Sequence, residues 1–337
     1  MTSGSGSRPT SADVARLAGV SRATVSYVLN GKDGHRVSEA TRDKVLAAVR
    51  TLDYAPNAAA RTLRAGHGDV VLMPLPSLPL SPPIDANIQH LDRELAERGL
   101  RLLLHGDRSG AGAAGVRSFA ELRPAAVLLD AHRCTPSAVR LLTGAGAVVL
   151  AIGKPRSARV PYLPMDSVAV ARLATRYLLD RGHRRLACLV PGPPLVPLSE
   201  PRFAAVAGLA ADAGVPVERV DCHMDVDSLR PAVARWRGSA RRRPTAVYAY
   251  NDEFALLLIE ALRGAGLRVP GDIAVIGSGS FPMGAVLRPT LTTTHIPAGQ
   301  IARAQASTVR RLLDGEPLNH EEMAAAMQPV LTVRESA

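Results

Sequence analysis

Beyond Asp69 the chain alternates between two hydrophobic periods, and that alternation limits the folds open to it. Short aliphatic, β-branched runs are followed by segments of helical spacing: VVLMP, then 84–98; LRLLLH, then 115–122; AAVLLD, then 135–143; AVVLAI. A second series runs through helix 167–181, RLACLV, helix 200–213, RVDCH, helix 228–240, TAVYAY, helix 251–265 and DIAVIG. A strand that returns parallel to its neighbour needs a helix-length crossover, so the alternation predicts parallel sheets with helices on their faces. Two series of about four strands predict two similar lobes rather than one very wide sheet. LTTTHI and a helix over 298–314 follow the second series and are expected to cross back to the first lobe. The lobes then comprise about 69–163 with 291–318, and about 164–290 with 319–337. No fixed-period repeat of solenoid type is present.

The first 68 residues read differently. Residues 1–9, rich in Gly and Ser, are expected to be a disordered arm. Three short helices fit 10–55. The first is SADVARLA, with Thr10 as N-cap and Asp13 three residues on, a capping box that uses Asp. The second starts at Ser21 and ends near Asn30. The third starts at Ser38, and Val45, Leu46, Val49 and Leu52 give it an apolar stripe at helical spacing. Val14, Leu17, Ala18, Val25 and Leu29 are expected to face that stripe. Pro56 closes the unit. In NAAARTLRAG, 57–66, Leu63 is the one large apolar residue, so 56–68 reads as a linker that folds only against something else.

Charge points to the same end of the chain. The formal net charge is +11, and residues 1–68 hold 10 Lys and Arg against 5 Asp and Glu, while the rest hold 31 against 25. A polyanion partner is therefore expected at the front. Two short helices joined by AGVS have helix-turn-helix spacing, a motif whose second helix enters the major groove of DNA. Arg22 can offer two donors to guanine, and Ala23 is small enough to sit beside a thymine methyl. Ser26 and Tyr27 follow one turn later. Thr10, Ser21, Thr24 and Asn30 can bond phosphates and fix the register. A generic helical hairpin on an enzyme is the alternative.

Other classes find little support. The three cysteines, Cys134, Cys188 and Cys222, are far apart and form no CxxC, so neither a disulfide framework nor a zinc site is expected. The N-terminus lacks the apolar core of a signal peptide, no run reaches membrane-spanning length, and a reducing cytoplasm is expected. GSGS at 277–280 lacks the third glycine of a dinucleotide fingerprint. Cys222, His223 and Asp225 read as a strand end rather than a metal cluster, and RRR at 241–243 as a solvated helix end. No cofactor, metal or catalytic set is expected.

DVARLAGVSRATVSYVLNG resembles the N-terminal signature of the LacI/GalR family of bacterial transcriptional repressors. The similarity continues through RVSEATRDKVLAAVRTLDYAPNAAARTLRAG, LLDRGHRRLACLVPGP, RPTAVYAYNDEFALLLIEALRGAGLRVPGDIAVIG and RPTLTTTHI. It covers nearly the whole chain. The resemblance implies a helix-turn-helix head, a hinge helix and a two-lobed core like a periplasmic binding protein. It further implies a homodimer on a palindromic double-stranded DNA operator. Two hinge segments would pair in the minor groove with Leu63 as a wedge between base pairs and Asn57, Ala60 and Arg61 lining the groove. Without DNA, a disordered linker is the competing reading. Tyr27 stands where the family commonly has arginine, which implies a different base preference there. GKDGHR is longer than the equivalent loop of one well-known member, which brings Arg36 rather than His35 nearest the operator.

The resemblance also implies an effector cleft between the lobes, with Asp166, Arg202 in RFAAV, and Asn251 and Asp252 as ligands. Asp166 and Asp252 could equally cap helices, and Arg202 could be solvated. His132 lies near a strand end of lobe one, where α/β folds bind ligands. Several sugar ligands of the family are missing: GSGSF puts Gly279 where an aspartate is usual, Ile296 and Ala298 replace polar and aromatic groups, and PLPSLPLSPPID replaces the first-lobe loop. Aromatics make up 3%, so stacking platforms are scarce. The expected effector is a small molecule other than a common sugar. One alternative is a DNA-binding regulator with a ligand-insensitive core. A solute-binding protein or enzyme is the alternative of another class, and the DNA-binding head opposes it.

Overall fold

The Asp13 carboxylate accepts from both the backbone N–H and the hydroxyl of Thr10, at 2.9 and 2.7 Å, and so fixes the start of the first helix. This computed structural model describes residues 9–29, 37–54, 68–75, 80–106, 114–156 and 159–337. The arm before Pro9, Asn30, Arg36, and the hinge residues Asn57, Ala60, Arg61 and Leu63 lie outside the described residues. The chain divides into two units, Met1–Gly68 and Asp69–Ala337.

In the first unit α1 spans Ser11–Ala18, α2 Arg22–Leu29 and α3 Glu39–Thr51. Gly19 ends α1 in the left-handed region at φ 66°, which a side chain would disfavour, and so permits the tight turn into α2. Ser21 and Ser38 cap α2 and α3, accepting from the backbone N–H of Thr24 and Thr41. Val14, Val25 and Val45 are fully buried and make the core with Ala15, Val28 and Ala48. Leu46, Val49, Leu52, Ala18 and Leu29 pack around it. Leu17 was expected inside but is 53% exposed. The reason is helical phase: Val14, Ala15 and Ala18 share the inward face, and Leu17 falls to its side.

The second unit contains two sheets. Sheet one has the order β2-β1-β3-β4-β5 and is parallel throughout. Its strands are β1 Val70–Pro74, β2 Arg101–His105, β3 Ala126–Asp130, β4 Val148–Ile152 and β5 Tyr162–Leu163. Sheet two has the order β11-β10-β9-β8-β6-β7. Its strands are β6 Leu186–Pro191, β7 Val217–Cys222, β8 Ala246–Tyr248, β9 Ala274–Ser278, β10 Thr292–His295 and β11 Val330–Thr332, and β11 alone runs antiparallel to its neighbour. Both sheets bury side chains on two faces, as parallel sheets require. In lobe one, Leu128 and Leu150 pack against Leu91, Leu95, Ala302 and Val309, and Val127 and Leu129 pack against Phe119 and Leu142. In lobe two, Val247 and Val275 meet Phe254, Leu258 and Trp236, while Tyr248 and Ile276 meet Leu178 and Val206.

Two expectations do not hold. LTTTHI does not cross to lobe one: β10 lies beside β9 with Thr292 opposite Ile276, so the crossing begins after His295 rather than at 291. The three buried threonines of β10 explain it, because their hydroxyls already have partners in lobe two: the Arg334 carbonyl, Asp252 and the Val170 carbonyl. Helix Ala298–Leu313 does pack on lobe one, against helix Pro82–Glu97. Helix His320–Ala326 was expected in lobe two, but its Met323 is buried in the core of lobe one, so the return comes just before β11.

Candidate nucleic-acid interface and effector cleft

Helix α2 has two unlike faces. Val25 and Val28 point inward at 0 and 4% exposure. Arg22, Ala23 and Tyr27 are exposed, and Ser26 is half-buried on the same side. Positions i, i+1, i+4 and i+5 thus form one face, turned away from the core of Val14, Val25 and Val45. Thr10, Ser21 and Thr24, expected at phosphates, have hydroxyls with partners in the head itself: Thr10 donates to Asp13, and Ser21 and Thr24 bond each other at 2.9 Å.

In the second unit the candidate cleft residues follow the C-terminal ends of strands, the edge where α/β sheets bind ligands. Asp166 caps helix Ala169–Asp180, accepting from the N–H groups of Val168 and Ala169 at 3.1 Å and pairing with Arg172. Its side chain stays 45% exposed, so capping leaves it accessible. Arg202 is half-buried and held by the protein rather than freely solvated. Its Nε donates to the Ser167 carbonyl at 2.8 Å and a terminal nitrogen donates to the Tyr250 carbonyl at 2.7 Å. Its guanidinium also lies 4.6 Å from the centre of the Tyr250 ring. Asn251 caps helix Asp252–Gly264 through the Phe254 N–H.

Asp252 is fully buried. One carboxylate oxygen accepts from the Thr293 hydroxyl and the other from the Phe281 N–H, both at 2.6 Å. Burial raises its carboxyl above the usual range, against those hydrogen bonds and the charge of Arg334. Asp252 therefore braces the C-terminal ends of β9 and β10. His132 is exposed on the 3-10 turn Ala131–Arg133 that follows β3. It flanks Asp130, whose carboxyl burial raises and His132 and Arg133 oppose.

Gly279 sits at φ +121°, and a Cβ there would lie 2.4 Å from Cε1 of Phe281. No aspartate fits at 279 while that ring is in place. Sequence reasoning passed over Phe281, although it is one of four phenylalanines in the chain and stands inside GSGSF. Its scarcity was the available signal.

Residues 10–57 match the family model of bacterial regulatory proteins, lacI family, and 175–337 match a periplasmic binding protein-like domain. An HTH-type transcriptional repressor, PurR of Vibrio parahaemolyticus, is 32% identical over 96% of this chain and 96% of its own length. The chain belongs to the lacI family of bacterial regulatory proteins. A second relative, the HTH-type transcriptional regulator CelR of Thermobifida fusca, is 31% identical over 98% of both chains. A solved CelR–cellobiose complex has a TM-score of 0.59 at 28% identity, covering 98% of this chain and 100% of that one. The lac repressor bound to ONPG in its repressed state has a TM-score of 0.73 at 24% identity, with 98 and 100% coverage, and supports the fold. This lacI-family chain is a helix-turn-helix, DNA-binding transcriptional regulator with a periplasmic-binding-protein-like core. No described helix is long and apolar enough to cross a membrane.

Proposed function

We propose that this regulator represses transcription in the cytoplasm as a homodimer on a palindromic operator. The observation that carries the reading is the outward face of α2, where Arg22, Ala23 and Tyr27 are exposed. Arg22, Ala23, Ser26 and Tyr27 would meet base edges, and Thr10, Ser21, Thr24, Asn30 and Arg36 the phosphates. Asn57, Ala60, Arg61 and Leu63 would enter the minor groove. An edge strand supports the dimer: β2 leaves Leu103 and Leu104 at 38 and 40% exposure. Among the described residues β2 has no strand on its outer side, and an exposed apolar edge is a liability that a second copy removes. Met283, Val286 and Leu287 offer a second apolar patch, on lobe two. Selection of bound fragments from a genomic pool tests the reading: a shared palindrome supports it, and no enrichment overturns it.

The core would respond to a small molecule other than a common sugar. Asp166, Arg202 and Asn251 would hold it, with His132 opposite and Asp252 as brace. A ligand that prefers one lobe arrangement shifts operator affinity by its difference in affinity for the two arrangements. A panel of metabolites screened by thermal shift tests for such a ligand, since binding to the folded core raises the melting temperature.

A further inference from the structure

We propose that Phe281 is a built-in occupant of the cleft, an aromatic latch that holds lobe one against lobe two with no small molecule bound. The proposal rests on reading the facing strand ends as the effector site.

Phe281 is 6% exposed, yet it belongs to none of the hydrophobic clusters that form the two lobes. Its backbone is pinned from three sides. The Gly279 N–H donates to the Thr294 carbonyl at 2.7 Å, the Ser280 N–H to the Thr293 hydroxyl at 3.3 Å, and the Phe281 N–H to Asp252 at 2.6 Å. Gly279 and Ser280 both take positive φ, 121° and 55°, which folds the chain back so that the ring lies against the glycine. The point that a Gly279 side chain would fill is 2.4 and 2.9 Å from two carbons of that ring, and 3.4 Å from Cγ of Pro83.

Pro83 belongs to the other lobe. It lies in the first turn of helix Pro82–Glu97, which follows β1 and packs in the core of lobe one. An aromatic ring from lobe two and a proline ring from lobe one therefore flank the same point at the C-terminal strand edge. Both rings are stiff and apolar, so closing the lobes here buries hydrophobic surface at little cost in side-chain entropy. A polar ligand at this corner would have to displace Phe281. Effector action becomes competition with the protein's own side chain, and an effector that leaves the ring seated leaves the lobes as they are.

Small-angle scattering from the full-length, ligand-free chain tests this. Wild type is expected to be a closed form, and Phe281→Ala a form with a measurably larger radius of gyration. Toluene or indole, which can fill the vacated apolar space, should return the variant to the wild-type radius and raise its melting temperature while leaving wild type unchanged. Pro83→Ala, on the opposite lobe and away from the Asp252 brace, should open the chain as well, and adding it to Phe281→Ala should give no further opening. A wild-type radius equal to that of Phe281→Ala overturns the latch. So does a Phe281→Ala variant that loses thermal stability, keeps the wild-type radius and ignores both aromatics, since that describes an ordinary core residue. A metabolite from the thermal-shift panel that binds wild type and an Arg202→Ala variant with equal affinity overturns the reading of the site, and scattering still decides the latch.

Discussion

The Asp252 carboxylate accepts a 2.6 Å hydrogen bond from the backbone N–H of Phe281, 29 residues further along the chain. Its other oxygen accepts from the Thr293 hydroxyl, so one buried acid ties the first turn of a helix to the ends of two strands. Gly277 makes room for it: a Cβ there would lie 2.3 Å from the carboxylate.

Removing the Asp252 acceptors should be costly. Asp252→Ala leaves two donors unpaired, and each buried unpaired group costs about 1–3 kcal/mol. Asp252→Asn keeps the shape and one acceptor and should cost less. The pH dependence has a definite sign. Burial raises this carboxyl, so the folded chain keeps its proton to higher pH than the unfolded chain. The unfolded state then binds fewer protons, and stability falls as pH rises from the ordinary carboxylate range to the raised value. Urea unfolding of wild type and Asp252→Asn across that range checks this; a difference between them that does not vary with pH contradicts it.

The thiols should be inert in the native state. Burial pushes Cys134 up to about 11 and Cys222 up to about 12, and raises Cys188 as well. The thiolate is the nucleophile, so at pH 8 almost none is available. A thiol-disulfide reagent should modify none of the three until urea unfolds the chain. Rapid labelling of the folded protein would show that one of the sites opens locally.

The two periods from Asp69 onward made the parallel sheets and the two lobes legible, because a buried strand and a crossover helix leave different hydrophobic spacings. β5 and β11 were not legible, since two or three residues cannot display a period of two. The path of β10 was hidden for another reason. Its threonines read as a generic strand, and it is the pairing with β9 and the partners Asp252, Val170 and Arg334 that assign it to lobe two. In the head, the Thr10–Asp13 cap was readable at three-residue spacing, whereas the exposure of Leu17 depended on the phase of a helix two turns long. Phe281 was unreadable as a latch because its significance comes from Pro83, nearly two hundred residues away.

Operator recognition should depend on Arg22. If its guanidinium reads a guanine, Arg22→Ala loses about 1–3 kcal/mol on the selected site and relaxes choice at one base pair. Mobility shifts on the selected site and on random DNA separate the roles. An equal loss on both would assign Arg22 to a phosphate instead.

The edge strand β2 should carry self-association. Leu104→Lys puts a charge on a 40% exposed apolar position of that strand, without touching a lobe core. Sedimentation should show a shift toward monomer, with operator binding weakened because two half-sites need two heads. A variant that sediments as wild type does would remove β2 from the interface.

Common mono- and disaccharides should bind the cleft poorly. Gly279 brings no side chain, and the side chains of Ile296 and Ala298 bring no hydrogen-bonding atom, so sugar hydroxyls that need side-chain partners there would go unpaired. Each such loss is worth about 1–3 kcal/mol, and two or three together remove most of a typical sugar affinity. Arg202 does not compensate fully, because its Nε and one terminal nitrogen already donate to the Ser167 and Tyr250 carbonyls. Asp252 does not compensate either, being buried with both oxygens occupied. What remains accessible is the half-exposed carboxylate of Asp166, the second N–H of the Asn251 amide, whose oxygen accepts from Phe254 and whose nitrogen donates to Glu253, and the rest of the Arg202 guanidinium, a set suited to a small ligand with one charged or amide end. Calorimetric titration with a sugar panel is the measurement, and dissociation constants weaker than millimolar are expected throughout. A sub-millimolar constant for a simple sugar, abolished by an Arg202→Ala variant that still melts cooperatively, would show that the cleft supplies hydroxyl partners from residues other than these.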